Sequence, residues 1–216
     1  MLSVSKLTGA VVGFLEGLGP GVPVPTPWAE PVLAQIPVVG QQYCAPYAVD
    51  LTVANKPISI SDGDFAVKSK VLSLRDRRVL VDAAGNTIIS MQQKLMSIRK
   101  KWEVFKGEST DKKDLLFSTK KSSLIQFKTE LDVFLASNTS KKVCDFKIKG
   151  SYLERSCSIF LGETSTIIAQ MSRKYSVTNV VMGKDAFGVT ICSNMDHAFI
   201  VALIVILHDI NKEKEV

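Results

Sequence analysis

Two histidines, four cysteines and a dense run of lysines and arginines are the residues of this chain with chemistry to offer. His197 and His208 stand eleven positions apart, so a nucleophile, a base and an orienting group cannot easily gather around both. Cys44, Cys144, Cys157 and Cys192 form no C-x-x-C pair and lie in or beside apolar runs. That placement predicts buried, reduced thiols in an intracellular protein rather than a disulfide framework. Asp185, Asn194 and Asp196 could offer oxygen atoms to calcium, but the alternating carboxylates and terminal bidentate Glu of a calcium loop are missing. Gly183-Lys184 lacks the earlier glycine and the following Ser or Thr of a phosphate loop. No catalytic, metal or cofactor set is expected.

The basic residues carry a stronger signal. Lys68, Lys70, Arg75, Arg77 and Arg78 lie close together, and from Lys94 to Lys121 there are nine basic residues against four acidic ones. Within this stretch Lys94, Arg99, Lys100, Lys101 and Lys106 flank Trp102 and are the candidate contacts for an anionic lipid headgroup. Each charge near a membrane surface contributes about 1 kcal/mol. A solvated outer face would use the same residues. The whole chain carries a net charge of +6, from 27 basic and 21 acidic residues, with a pI near 9.1. Nucleic acid is disfavoured as a partner, because neither a recognition helix nor a pair of stacking aromatics stands out.

The element that must organise the rest is Asp196–Asn211, in which Ala198 to Leu207 is apolar without a break. A helix there is apolar on every face and must be surrounded, with Phe199, Ile200, Leu203, Ile204 and Leu207 as its structural contacts. Ten residues make about 15 Å of helix, short of the ~20 residues that span a bilayer, so burial is favoured over a membrane anchor. Asp196 or Asn194 can cap the N-terminus, and Lys212 and Lys214 lie past the negative end.

Upstream, short β-branched and aromatic runs recur between turn residues. Val79–Asp82 and Thr87–Met91 read as a hairpin around Gly85 and Asn86. Trp102–Lys106, Leu115–Thr119, Leu124–Lys128, Leu131–Leu135, Cys144–Lys149, Cys157–Leu161, Thr166–Met171, Val177–Met182 and Phe187–Ile191 have strand length and strand composition. Many short strands before one all-apolar helix imply a sheet wrapped around that helix. Residues 1–42 are different in texture: the run Pro20-Gly21-Val22-Pro23-Val24-Pro25-Thr26-Pro27 predicts an extended, disordered leader. The expected organisation is a leader over 1–42, a body over 43–211 with its helix at about 196–210, and a charged tail over 212–216.

The strings Tyr43-Cys44-Ala45-Pro46, Ser73-Leu74-Arg75-Asp76-Arg77-Arg78-Val79-Leu80, Ser109-Thr110-Asp111, Leu131-Asp132-Val133-Phe134-Leu135 and Gly150-Ser151-Tyr152-Leu153-Glu154-Arg155-Ser156-Cys157 resemble the plant LURP-one-related proteins, as does the C-terminal Asp196–Leu207. The resemblance runs from Tyr43 to Asn211. It implies a mainly β, tubby C-terminal-like fold: a closed antiparallel barrel of about twelve strands around a hydrophobic C-terminal helix, as in tubby proteins and phospholipid scramblases. It also implies a non-enzymatic role at a phosphoinositide membrane surface in defence signalling. The alternatives are a scaffold for signalling proteins that does not bind lipid, and a scramblase-like phospholipid transporter. A monomer is expected, in the cytoplasm, at the inner face of the plasma membrane or in the nucleus. One departure stands out between Phe65 and Ala66, where about eleven residues of the family pattern, one hairpin, are missing. A barrel shortened in this way must close differently, leave an edge exposed, or recruit the leader.

Overall fold

The uninterrupted apolar run becomes a sixteen-residue helix, α1 (His197–Lys212), and everything else is arranged around it. The computed structural model describes residues 3–6, 34–54, 65–70, 77–94, 101–122, 129–172 and 187–212. Twelve strands occur among them: β1 Ser3–Lys6, β2 Val49–Ala54, β3 Phe65–Lys70, β4 Arg77–Asp82, β5 Thr87–Lys94, β6 Lys101–Lys106, β7 Leu115–Lys121, β8 Thr129–Leu135, β9 Phe146–Ser151, β10 Ser156–Leu161, β11 Ile167–Ser172 and β12 Phe187–Ile191. The strands expected at Leu124–Lys128 and Val177–Met182 fall outside the described residues. From β3 to β12 each strand pairs antiparallel with the next.

Alternation along the strands builds the core. In β9 Phe146 and Ile148 are buried while Lys147 and Lys149 point outward, the period-2 pattern of a sheet with one buried face. From Ala198 to Leu207 no helix residue exceeds 2% exposure. Phe199 meets Phe117 edge-on at 5.0 Å and Phe146 at a tilt at 4.8 Å, tying the helix to β7 and β9. Phe199, Ile200, Leu203, Ile204 and Leu207 all belong to this core. Two glycines have positional reasons. Gly85 takes φ 87° in the β4–β5 turn. Gly150 has φ 137°, and a Cβ there would lie 2.2 Å from the Ser156 carbonyl oxygen.

The expectation of a barrel closed by the strands of residues 43–211 must be corrected. Those residues contribute β2 to β12, eleven strands that form an open sheet with β2 and β3 at its edges, and these two edges do not pair with each other. The reason is parity. A ring in which every pair is antiparallel needs an even number of strands, and eleven is odd. Correspondingly, β2 and β3 both run antiparallel to β1, hence in the same direction as each other. The slot between them therefore fits one strand of the opposite sense.

Ser3–Lys6 of the leader occupies that slot. β1 matches β2 over four residue pairs, from Ser3↔Ala54 to Lys6↔Leu51, and β3 over two, Ser3↔Ala66 and Val4↔Phe65. The full cycle of strand pairing is thus completed only through the leader, and its seam with β3 is short beside the six pairs joining β3 to β4.

A second piece of the leader packs at the start of α1. Ile36 bridges Met195, and its N–H donates to the Asn194 carbonyl at 3.1 Å. Asp196, fully buried, receives the N–H groups of Val38, Val39 and Gly40 on Oδ2 at 3.0, 2.7 and 3.1 Å. Its Oδ1 accepts the Phe199 N–H at 3.0 Å, the N-cap bond of α1. One carboxylate therefore caps the helix and clamps a backbone turn over it, while its charge faces the positive end of the helix dipole. At the other end Asp209, unfavourable by itself near a helix C-terminus, pairs with Arg78 of β4 at 3.0 Å.

Two substitutions test this arrangement. Val4→Pro removes a backbone donor from β1 and should lower stability by about 1–3 kcal/mol. Amide exchange should accelerate at Leu51–Val53 and at Phe65–Ala66, and unchanged exchange there would show that β1 does not complete the sheet. Asp196→Ala leaves one buried and three part-buried N–H groups without their acceptor and should cost on the order of 3 kcal/mol in urea unfolding.

Candidate functional site

Along β6 the alternation that sends Trp102 and Val104 into the core turns Lys101 and Glu103 to the outer face. Register places Lys94 of β5 opposite Lys101, and Ser118 of β7 opposite Glu103. Glu103 becomes the centre of a small charge cluster. Its Oε1 accepts from Lys101 Nζ at 2.9 Å and lies 3.5 Å from Lys94 Nζ. From the β8–β9 loop, residues 136–145, Lys141 folds back with φ 49° and brings its Nζ to 3.5 Å from Ser118 Oγ. Three ammonium groups so approach one patch of wall that holds a single carboxylate.

Electrostatics reflect the crowding. Burial pushes the Glu103 carboxyl up, but the hydrogen bond from Lys101 and the charges of Lys101 and Lys94 outweigh it and hold the group below its ordinary value. Lys141 sits below the usual lysine value, first through burial and then through the charges of Lys101 and Lys94, with Glu103 opposing. On the same outer face Lys147 is matched in the opposite sense. Three carboxylates, Asp132, Glu130 and Glu163, lie 3.6, 3.7 and 3.8 Å from its Nζ. One wall position has spare negative charge and the other spare positive charge.

Of the sequence candidates, the structure brings Lys94 and Lys101 together. Lys106 is exposed at the far end of β6, roughly 16 Å along the strand from Lys101. Arg99 and Lys100 lie outside the described residues. Sequence reasoning missed Glu103, Ser118 and Lys141. Glu103 was within reach, two residues from Lys101 and hence on the same strand face, whereas Lys141 is delivered by a loop remote in sequence.

The remaining chemistry-bearing groups have other tasks. His197 is buried and meets the Tyr43 ring edge-on at 5.7 Å, while His208 Nδ1 is 3.0 Å from Tyr152 Oη at the opposite end of α1. Eleven helical residues separate them by about 16 Å. The Arg155 guanidinium lies over the rings of Tyr152 and Phe187 at 4.6 and 4.4 Å. Among the described residues no three His, Cys, Asp or Glu side chains converge as metal ligands, and Asp185 lies outside those residues. All four cysteines are free and buried. Burial pushes the Cys157 thiol up to about 12 and the Tyr152 hydroxyl likewise to about 12, each against the charge of Arg155.

The chain, as distinct from its charge cluster, has matches among known proteins. The family model described as LURP-one-related matches residues 49–209. Protein LURP-one-related 15 of Arabidopsis thaliana is 45% identical over 214 residues, covering 94% of this chain and 96% of the relative. Protein LURP-one-related 10 of the same plant is 42% identical, covering 82% of this chain and 97% of the relative. An X-ray structure of a protein from Arabidopsis thaliana is similar with a TM-score of 0.63 and 40% identity, over 81% of this chain and 98% of that one.

Thiol chemistry provides a check on the core. Since only the thiolate is alkylated, iodoacetamide at pH 8 should leave Cys157 unmodified in the native chain and modify it on urea unfolding. Stoichiometric native labelling of Cys157, read by mass spectrometry, would contradict its burial.

Proposed function

The chain belongs to the LURP-one-related family, and on that premise we propose that it is a non-catalytic module that binds an anionic, phosphoinositide-bearing membrane surface and tethers signalling components there in plant defence. The observation that carries this reading is the convergence of Lys94, Lys101 and Lys141 on one stretch of outer wall around a single carboxylate. Two residues beyond Lys141 along the same loop, Val143 is a large apolar side chain that is 57% exposed. A positive wall with an exposed apolar side chain suits a bilayer surface, where charge attracts and the apolar group enters the headgroup boundary.

Transport by insertion of the C-terminal helix has less support. No helix among the described residues is long and apolar enough to cross a membrane, and the apolar length of α1 is enclosed by the sheet. A scaffold that uses the basic wall only as a solvated face remains the reading against which the proposal is measured.

Co-sedimentation with vesicles decides between them. The full chain should bind phosphatidylcholine vesicles that contain phosphoinositide and should leave them as salt is raised across the physiological range. The double change Lys94→Glu, Lys101→Glu should weaken binding by about a hundredfold or more, since each reversal removes one attraction of roughly 1 kcal/mol and adds a repulsion. Binding no stronger than to pure phosphatidylcholine would refute the membrane reading and favour the scaffold.

A further inference from the structure

Resting on that reading, we propose that Lys94, Lys101 and Lys141 form a receptor for a phosphomonoester dianion, and that Glu103 is a resident carboxylate which the ligand displaces. The geometry sets the terms. Lys94 and Lys101 converge on one atom, Glu103 Oε1, at 3.5 and 2.9 Å. Lys141 arrives from the opposite side, over Ser118, which faces Glu103 across the β6–β7 pairing. Ser118 is itself buried, so its hydroxyl is a fixed polar group at the base of the cluster. Three positive charges against one negative leave +2 at the site. A phosphomonoester carries about −1.5 to −2 at neutral pH, whereas a phosphodiester or a carboxylate carries only one charge.

The match in charge has a match in hydrogen bonding. Ammonium groups approaching from β5, β6 and the β8–β9 loop can each donate to a different oxygen of one phosphoryl group, while a carboxylate held by Lys94 and Lys101 leaves Lys141 to a neutral hydroxyl. Lys141, an exposed residue, brings its ammonium beside two like charges; desolvation, and then those charges, hold it below its ordinary value. By contrast Lys147, surrounded by three carboxylates, has no charge left for a ligand. Glu103 holds the empty receptor together and competes with the phosphate, which keeps the site weak and readily reversed.

The test uses the full chain and two vesicle compositions of equal surface charge: phosphatidylcholine with a phosphatidylinositol monophosphate, and phosphatidylcholine with phosphatidylglycerol, whose only phosphate is a diester. The monoester vesicles should bind about tenfold more tightly. Lys141→Gln should weaken monoester binding about tenfold and diester binding by no more than about fivefold, the general effect of one lost surface charge. Glu103→Gln, checked for an unchanged thermal transition, should strengthen monoester binding. Equal binding to both compositions, or Glu103→Gln with no gain, overturns the receptor while leaving the anionic-surface reading intact. Binding to neither composition overturns both. Titration with a soluble inositol phosphate separates the two sources of a phosphomonoester. Tighter binding than to monoester vesicles assigns the site to a free phosphate, and weaker binding assigns it to a lipid headgroup.

Discussion

A helix with no polar face has to be enclosed on all sides, and that single requirement governs the rest of this molecule. Ten consecutive apolar residues, none more than 2% exposed, leave α1 no surface to present to water. The sheet must therefore curve around it, and each strand must put alternate residues inward. Enclosure also hides the helix ends, where unpaired backbone groups would otherwise lie buried. Asp196 answers that need at one end by accepting the Phe199 N–H, and at the other Asn211 Nδ2 donates to the Leu207 carbonyl at 2.7 Å. The fold is built from the helix outward.

Enclosing the helix creates a counting problem that the body of the chain cannot solve alone. Eleven antiparallel strands leave two edges that run in the same direction, and edges of that kind cannot meet in an antiparallel ladder. Closing the gap needs one strand of opposite sense. The four residues Ser3–Lys6 supply it, and the same leader returns to clamp Asp196 with three backbone donors. Residues that look like an appendage in composition thus share in both the seam and the cap.

Much of this was legible in the amino-acid order, and the failures have physical causes. The helix could be read because ten apolar residues allow only burial, and β4 to β12 largely because turn residues separate β-branched runs. β1 could not be read: Ser-Val-Ser-Lys is too short for periodicity, and only the direction of β2 and β3 reveals that a strand is needed between them. The leader was expected to be disordered because its proline-rich stretch dominates the composition, yet Ser3–Lys6 pairs with β2 and β3, and Ile36, Val38, Val39 and Gly40 bond to the start of α1. In the basic wall Lys94 and Lys101 stand out as members of a charge run, but their pairing is a matter of strand register, and the place of Lys141 depends on a loop with positive φ. Lys106 shows the converse, because nearness in sequence became separation along a strand.

The location of the charged cluster follows from the same requirement that made the fold. With α1 filling the interior, ligand chemistry belongs on the outer wall or at the two ends. The ends are taken up by caps and by the Tyr152–His208 and Arg78–Asp209 contacts. On the wall, charge is not spread evenly. One lysine is surrounded by three carboxylates, and three lysines share one carboxylate, both within the solvent-facing side of the same sheet. Exposed ion pairs contribute little to stability, so an excess of lysines around Glu103 is poorly explained as a device for holding the sheet together. An excess of like charge raises the free energy of the empty state, and an arriving anion relieves it. That asymmetry sets the Glu103 cluster apart from the Lys147 cluster on the same wall.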